Sequence, residues 1–124
     1  MITKEHLTQL LNEYPLLTIW GYGYPDRESA KMGRPYIEEK QVRLFEKIDA
    51  INLVIHFLEK HATETKRITK DSSYYWKHVA EKALDDYIEN GVFIAGALLA
   101  GYRMKPDPGY NPCFNMKIDP TKDN

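Results

Sequence analysis

The stretch Val92-Phe-Ile-Ala-Gly-Ala-Leu-Leu-Ala-Gly-Tyr102 constrains the fold more than any other, because it carries no charged side chain and no hydroxyl before its terminal tyrosine. A helix that is apolar on every side cannot rest at a surface with one face in water, so other elements or a partner chain must enclose it. Ala95, Gly96, Ala97, Ala100 and Gly101 are small enough to let neighbouring backbones approach, while Phe93, Ile94, Leu98 and Leu99 fill the space between them. At about 17 Å of helical rise the run is too short to cross a bilayer. It reads as the core helix of one domain, and 124 residues suit a single domain of modest size.

Upstream, Thr3-Lys-Glu-His6 is a loose capping box, with His where Glu or Gln is usual. It opens a helix on which Leu7, Leu10, Leu11 and Tyr14 share a face and which Pro15 ends. Leu16 to Pro25 mixes aromatic and β-branched residues with two glycines and a proline, and reads as a long aromatic loop. Gly21-Tyr-Gly23 lacks the further glycine or Gly-Lys-Ser/Thr that would complete a phosphate cradle. Asp26 to Arg34 reads as a polar, mobile, turn-rich connector. Pro35 then suits the first turn of a helix. Leu44, Ile48, Ile51, Ile55, Leu58 and Ala62 keep a four-and-three spacing that predicts one continuous helix from about Ile37 to Ala62, about 39 Å long. A coiled-coil homodimer would use the same stripe; its breadth favours packing within the chain.

Thr63 to Lys70 reads as a polar connector, and Asp71, Ser72 and Ser73 offer N-caps for the next helix. Tyr74 to Ile88 predicts a helix with Tyr75, Trp76, Val79, Ala80, Ala83, Leu84, Tyr87 and Ile88 facing inward and Lys77, His78, Glu81, Lys82 and Asp85 opposite. Asn90-Gly91 is expected to close it. After three prolines between Pro106 and Pro112, Cys113-Phe-Asn-Met-Lys-Ile118 predicts a short extended segment returning to the core. The expected class is all-α: one domain over residues 1–118, about four helices, the long aromatic loop and an irregular C-terminal segment, followed by a polar, fraying tail at 119–124.

Charge excludes more than it suggests. A formal net charge of −1 offers neither the basic excess of a nucleic-acid binder nor the acidity of a DNA mimic. The single cysteine, Cys113, cannot form an internal disulfide, and the first residues lack the apolar core of a signal peptide, so a cytoplasmic setting is expected. His78 and Glu81 lie three apart on one helical face, with Asp85 a turn beyond, but a third metal ligand could come only from His56, His61 or Cys113, all distant in sequence. The group reads instead as a solvated face of ordinary ion pairs or as an interaction surface, with no metal or cofactor. Cys113 sits in an apolar context that leaves a thiol inert, and with no catalytic set the chain reads as a non-enzyme.

A helix leading through Asn90-Gly91 into a second helix raises the alternative of a helix-turn-helix-like nucleic-acid-binding regulator. A recognition helix must present Arg, Asn, Gln or Ser from its first turns, and Val92-Phe-Ile-Ala-Gly-Ala97 has none. Lys66, Arg67, Lys70, Lys77, Arg103 and Lys105 would give only sequence-independent phosphate contacts, so no sequence-specific DNA binding is expected.

The remaining class is protein binding. Nine tyrosines and two tryptophans are unusual for this length, and those residues anchor interfaces. Trp20, Tyr22, Tyr24, Tyr36, Tyr74 and Tyr110 lie on segments where no core stripe requires them; they either pack loops or hold a partner. The candidate partner-binding set is Trp20, Tyr22, Tyr24, Tyr74, Lys77, His78 and Glu81.

Ser72-Ser-Tyr-Tyr-Trp-Lys-His-Val-Ala-Glu-Lys82, Tyr87-Ile-Glu-Asn-Gly-Val-Phe-Ile-Ala-Gly-Ala-Leu-Leu-Ala-Gly-Tyr102 and Asn111-Pro-Cys-Phe-Asn115 together resemble a family of small uncharacterised proteins encoded by bacteriophages and other bacterial mobile elements. The resemblance spans residues 72–115, a little over a third of the chain; the first seventy residues do not share it. It implies a genomic setting and no catalytic residues. In that setting the expected partner is a host protein or protein complex, such as a defence system that the chain inhibits.

Overall fold

In the computed structural model, which describes residues 1–124, the chain runs α1 (Lys4–Glu13), α2 (Arg27–Met32), α3 (Arg34–Phe45), α4 (Ile48–His61), β1 (Ala62–Glu64), α5 (Ser73–Leu84), α6 (Asn90–Leu99) and β2 (Met116–Ile118). The fold is mainly helical, but six helices and a two-stranded antiparallel sheet replace the expected all-α arrangement of about four helices. No helix is long and apolar enough to cross a membrane.

The apolar run is the core. Every residue from Asn90 to Ala97 is buried, and α6 packs most extensively on α4, then on α5 and α1. The approach to α4 is close enough that a Cβ on Gly96 would lie 2.5 Å from Val54 Cγ1. At the other end a Cβ on Gly91 would lie 1.8 Å from the Thr18 carbonyl oxygen, and the Gly91 N–H donates to Ile19 O at 2.9 Å. Asn90-Gly91 therefore opens α6 instead of closing the helix before it, and the glycine answers a close backbone contact. α5 ends earlier than expected, at Leu84, where Asp85 takes the left-handed conformation (φ 53°, ψ 46°), which aspartate tolerates better than most residues.

The single helix expected over Ile37 to Ala62 is two. Glu46 and Lys47 break it, with Lys47 leaving helical geometry at φ −115° and ψ 23°. The two halves serve different partners. On α3, Tyr36, Ile37, Gln41 and Leu44 are buried, and Gln41 Nε2 donates to the carbonyls of Pro15 and Leu17, both at 3.0 Å. On α4, Ile51, Val54, Phe57 and Leu58 are buried beneath α6. A straight rod would have to serve both neighbours with one stripe. The apolar spacing runs through the break in phase, which is why periodicity does not reveal it.

Other local expectations divide. His6 Nδ1 accepts from the Thr3 N–H at 2.9 Å and so does the work of the missing glutamate, with Leu7, Leu10 and Leu11 buried as expected. Residues 16–25 form a loop, braced by an isolated bridge between Leu17 and Tyr22. The connector expected to be mobile contains α2, because the Asp26 carboxylate accepts from the Ser29 N–H at 2.8 Å.

The return of Cys113 to Ile118 occurs as an extended segment. β2 pairs with β1 in the register Ala62 with Ile118, Thr63 with Lys117 and Glu64 with Met116, while Cys113 and Phe114 bridge to Ser72 and Met104. Phe114, Asn115 and Met116 are fully enclosed. The tail expected to fray is tied down: Asn124 Nδ2 donates to the carbonyls of Glu59 and Ala62, and its N–H to Lys60 O, capping groups that a helix end leaves unpaired.

Gly91 gives the sharpest test of the close packing. Helix propensity alone predicts that Gly91→Ala gains up to about 1 kcal/mol; the contact with Thr18 predicts a net loss of roughly 2 kcal/mol, since overpacking typically costs about 1–3. We expect the thermal midpoint to fall by roughly 10 °C in a calorimetric scan. A midpoint that rises means the 18–19 backbone does not rest on α6.

Candidate binding site at Lys77

Ser72 caps the start of α5, its Oγ accepting from the Tyr75 N–H. Its inward face includes Ser73, Trp76 and Ala80, and also Lys77, which is only 5% exposed. The expected solvated face is thus corrected at Lys77. The expected inward residues Tyr75, Ala83 and Tyr87 are exposed instead. A charge is this rarely buried unless it is paired, and the fold supplies the partners. Lys77 Nζ donates to Glu81 Oε2 at 3.1 Å and lies 5.2 Å from the centre of the Tyr74 ring and 4.8 Å from that of Tyr87. Tyr87 reaches it because the chain reverses after Asp85.

Glu81 fixes that reversal. Its Oε2 also accepts the Ile88 N–H at 2.9 Å, and its Oε1 lies 2.8 Å from His78 Nδ1. Burial by itself would raise the Glu81 carboxyl, but the Ile88 N–H, the Lys77 ammonium and His78 outweigh it and hold the group below the ordinary glutamate value. His78 remains largely in solvent, with its ring 4.6 Å from that of Tyr74.

Asn90, the first residue of α6, ties three segments together. Its Oδ1 accepts from Ser73 Oγ at 2.9 Å, and its Nδ2 donates to Asn111 Oδ1 at 2.8 Å and to Trp20 O at 3.3 Å. Above these buried groups Trp20, Tyr74, Tyr87 and Tyr110 wall a cleft of about 350 Å³, with Lys77 and Asn90 at its base and Asn111 at its rim. Arg43 sits over the Trp20 ring at 5.3 Å. The Tyr110 ring leans on Gly21, where a Cβ would come within 2.8 Å of Cζ. Its hydroxyl is pushed up to about 12, by burial first and then by neighbouring Tyr36.

Of the predicted set, Trp20, Tyr74 and Lys77 meet at this cleft, with Glu81 beneath and His78 beside it. Tyr22 and Tyr24 point elsewhere. Tyr22 packs against the core, where burial and then Tyr14 raise its hydroxyl, and Tyr24 rests on Tyr36 with ring centres 5.9 Å apart. Tyr87, Asn90 and Asn111 were not anticipated; the one sequence cue was the pair of asparagines flanking the apolar run. No group of three His, Cys, Asp or Glu side chains is disposed to hold a metal ion. Cys113 Sγ lies 3.6 Å from Lys70 O.

A larger depression of about 630 Å³ lies between the N-terminus, α4 and the end of α6. Its central amide, Asn52, is already engaged with both backbone groups of Ile2, so the smaller cleft holds the more directed chemistry.

Lys77→Met leaves Glu81 without its main counter-charge and should cost roughly 3 kcal/mol, the scale for breaking a buried pair, in a urea titration; Lys77→Met with Glu81→Gln should recover much of that. A single variant as stable as the parent would mean the pair is solvated. Because the folded Glu81 value lies below the unfolded one, its stabilisation is complete above the unfolded value, about 4.3, and is lost as pH falls through the lower folded value. The stability gap between the parent and Glu81→Gln should therefore hold near neutrality and close in acid.

Compared with protein-family models, characterised proteins and solved structures, the chain matches none.

Proposed function

We propose that this is a non-enzymatic binding protein that engages another protein through the aromatic surface around the Lys77 cleft. The observation that carries the reading is the exposure of Tyr74, Tyr75 and Tyr87, at 42%, 52% and 63%, on α5 and the turn that follows it. Tyrosine offers large contact area with little side-chain freedom to lose, which suits an interface anchor. Below these rings the ion pair and the Asn90 network are already in place, so a partner meets a surface that needs little reordering.

The resemblance spans these same residues and favours a host protein complex in a bacterial cytoplasm as the partner, with inhibition of a defence system as the specific role; that step rests on genomic analogy. A second copy of the chain is the other candidate occupant. A helix-turn-helix-like regulator finds less support, because a recognition helix needs its first turns free for the groove, and those of α6 are buried.

The test is affinity capture from bacterial lysate with the parent and with Tyr74→Ala/Tyr87→Ala, read by quantitative mass spectrometry. Both side chains are exposed, so the thermal midpoint should stay within a few degrees. Each anchor is worth about 1–2 kcal/mol, so recovery of the partner should fall at least tenfold. Tyr22→Ala, by contrast, should lower the midpoint and leave capture intact. Equal recovery by parent and double variant would move the interface elsewhere.

A further inference from the structure

The donors at the base of the cleft outnumber the acceptors. Lys77 has three N–H groups, and within the chain only Glu81 accepts from one of them, at 3.1 Å; its other near neighbours are the Tyr74 and Tyr87 rings. Those π-faces favour a cation but accept no conventional hydrogen bond. Asn111 accepts from Asn90 through Oδ1, which leaves its own NH₂ at the rim. The acceptors at the base are engaged, Glu81 Oε2 by Lys77 and Ile88, Oε1 by His78, and Asn90 Oδ1 by Ser73, while the tyrosine hydroxyls of the walls can donate as well as accept.

A pocket with spare donors and engaged acceptors selects a group that only accepts. A buried ammonium with two N–H groups to spare attracts a carboxylate as a point charge and can donate to its oxygens, and such charge-assisted bonds are among the stronger polar contacts. The cleft, at about 350 Å³, has room for the carbon stem between the rings. We infer that the Lys77 cleft is a carboxylate subsite that receives an aspartate or glutamate side chain of the protein partner. This rests on the protein-binding reading above. Beyond Tyr87, the surface carrying Asp85 and Asp86 beside His78, Glu81 and Lys82 is more acidic, so residues next to the incoming acid on that side are neutral or basic.

The test needs no partner at first. Benzoate and its neutral isostere benzamide are titrated into isotopically labelled protein, and the Lys77 ammonium, the Trp20 indole and the Asn111 amide are followed by NMR. Benzoate should shift all three saturably, and benzamide at equal concentration should not. Lys77→Met/Glu81→Gln, which removes the ammonium without leaving an unpaired charge, should abolish the response while the rest of the spectrum reports a folded chain. No saturable response to benzoate, or an equal response to benzamide, overturns the subsite.

A second arm identifies the source of the carboxylate. Benzoate, and not benzamide, should release the protein captured through Tyr74 and Tyr87. Tyrosine-dependent capture that ignores saturating benzoate overturns the assignment to a partner's side chain and leaves the protein-binding reading standing. Benzoate binding without any tyrosine-dependent capture overturns that reading and makes a free carboxylate the ligand.

Discussion

The burial of α6 from its first residue decides most of what surrounds it. Phe93, Ile94, Val92 and Ala95 are fully enclosed, and each large side chain so placed favours folding by about 1.5–3 kcal/mol. That gain depends on α4, α5, α1 and the Thr18–Ile19 backbone closing round one cylinder. A helix start has unpaired N–H groups, and burying it requires polar partners. Gly91 donates to Ile19 O, Asn90 binds Ser73, Trp20 and Asn111, and Glu89, just before the helix, pairs with Lys47 at 3.2 Å. The cleft is a by-product of this solution. Trp20 and Asn111 stand together because one asparagine had to be satisfied.

The Lys77–Glu81 pair is the second constraint, and it follows from the first. The chain must leave α5 and enter α6 within residues 85–89, and Glu81 holds that turn through the Ile88 N–H. A carboxylate in so enclosed a place needs a cation, and Lys77 is one turn earlier on the same helix. An apolar pair of similar volume is often as stable as a buried ion pair. Glu81 does what an apolar residue cannot: it accepts a backbone N–H and so sets the path of the turn. Tyr87 comes to lie over Lys77 as a result, which turns a structural tie into one wall of the cleft.

Where the sequence was legible, local chemistry and final packing agreed. The apolar run had to be enclosed, one of Asp71, Ser72 and Ser73 had to cap, and Cys113 to Ile118 had to return to the core. Legibility failed where a tertiary partner overrode a local signal. The α3–α4 break keeps the stripe in phase, and Leu44 and Ile51 enter the same core, so nothing in the spacing betrays it. Lys77 reads as solvent-facing because its position is right for solvent; its counter-ion Glu81 lies on the same helix, but the second ring over it, Tyr87, depends on a turn that begins only at Asp85. Tyr22 and Tyr24 read as available because no periodic stripe claims them, yet the core and Tyr36 do. Trp20 and Tyr74, far apart in the chain, gave no sign that they would share a cleft.

In the proposed binding role, stability and recognition fall on different parts of this surface. Tyr74, Tyr75 and Tyr87 present their rings outward, and their exposed parts add little to the core. Lys77, Glu81 and Asn90 below them are enclosed and connect α5, α6, the Trp20 loop and the Asn111 segment. Change at the rim can therefore alter what is bound with little effect on folding, whereas change at the base disturbs both. The same division favours tight binding, because a base locked by the core fixes the walls before any partner arrives, and the ordering entropy that an adaptable loop would lose on association has already been lost in folding.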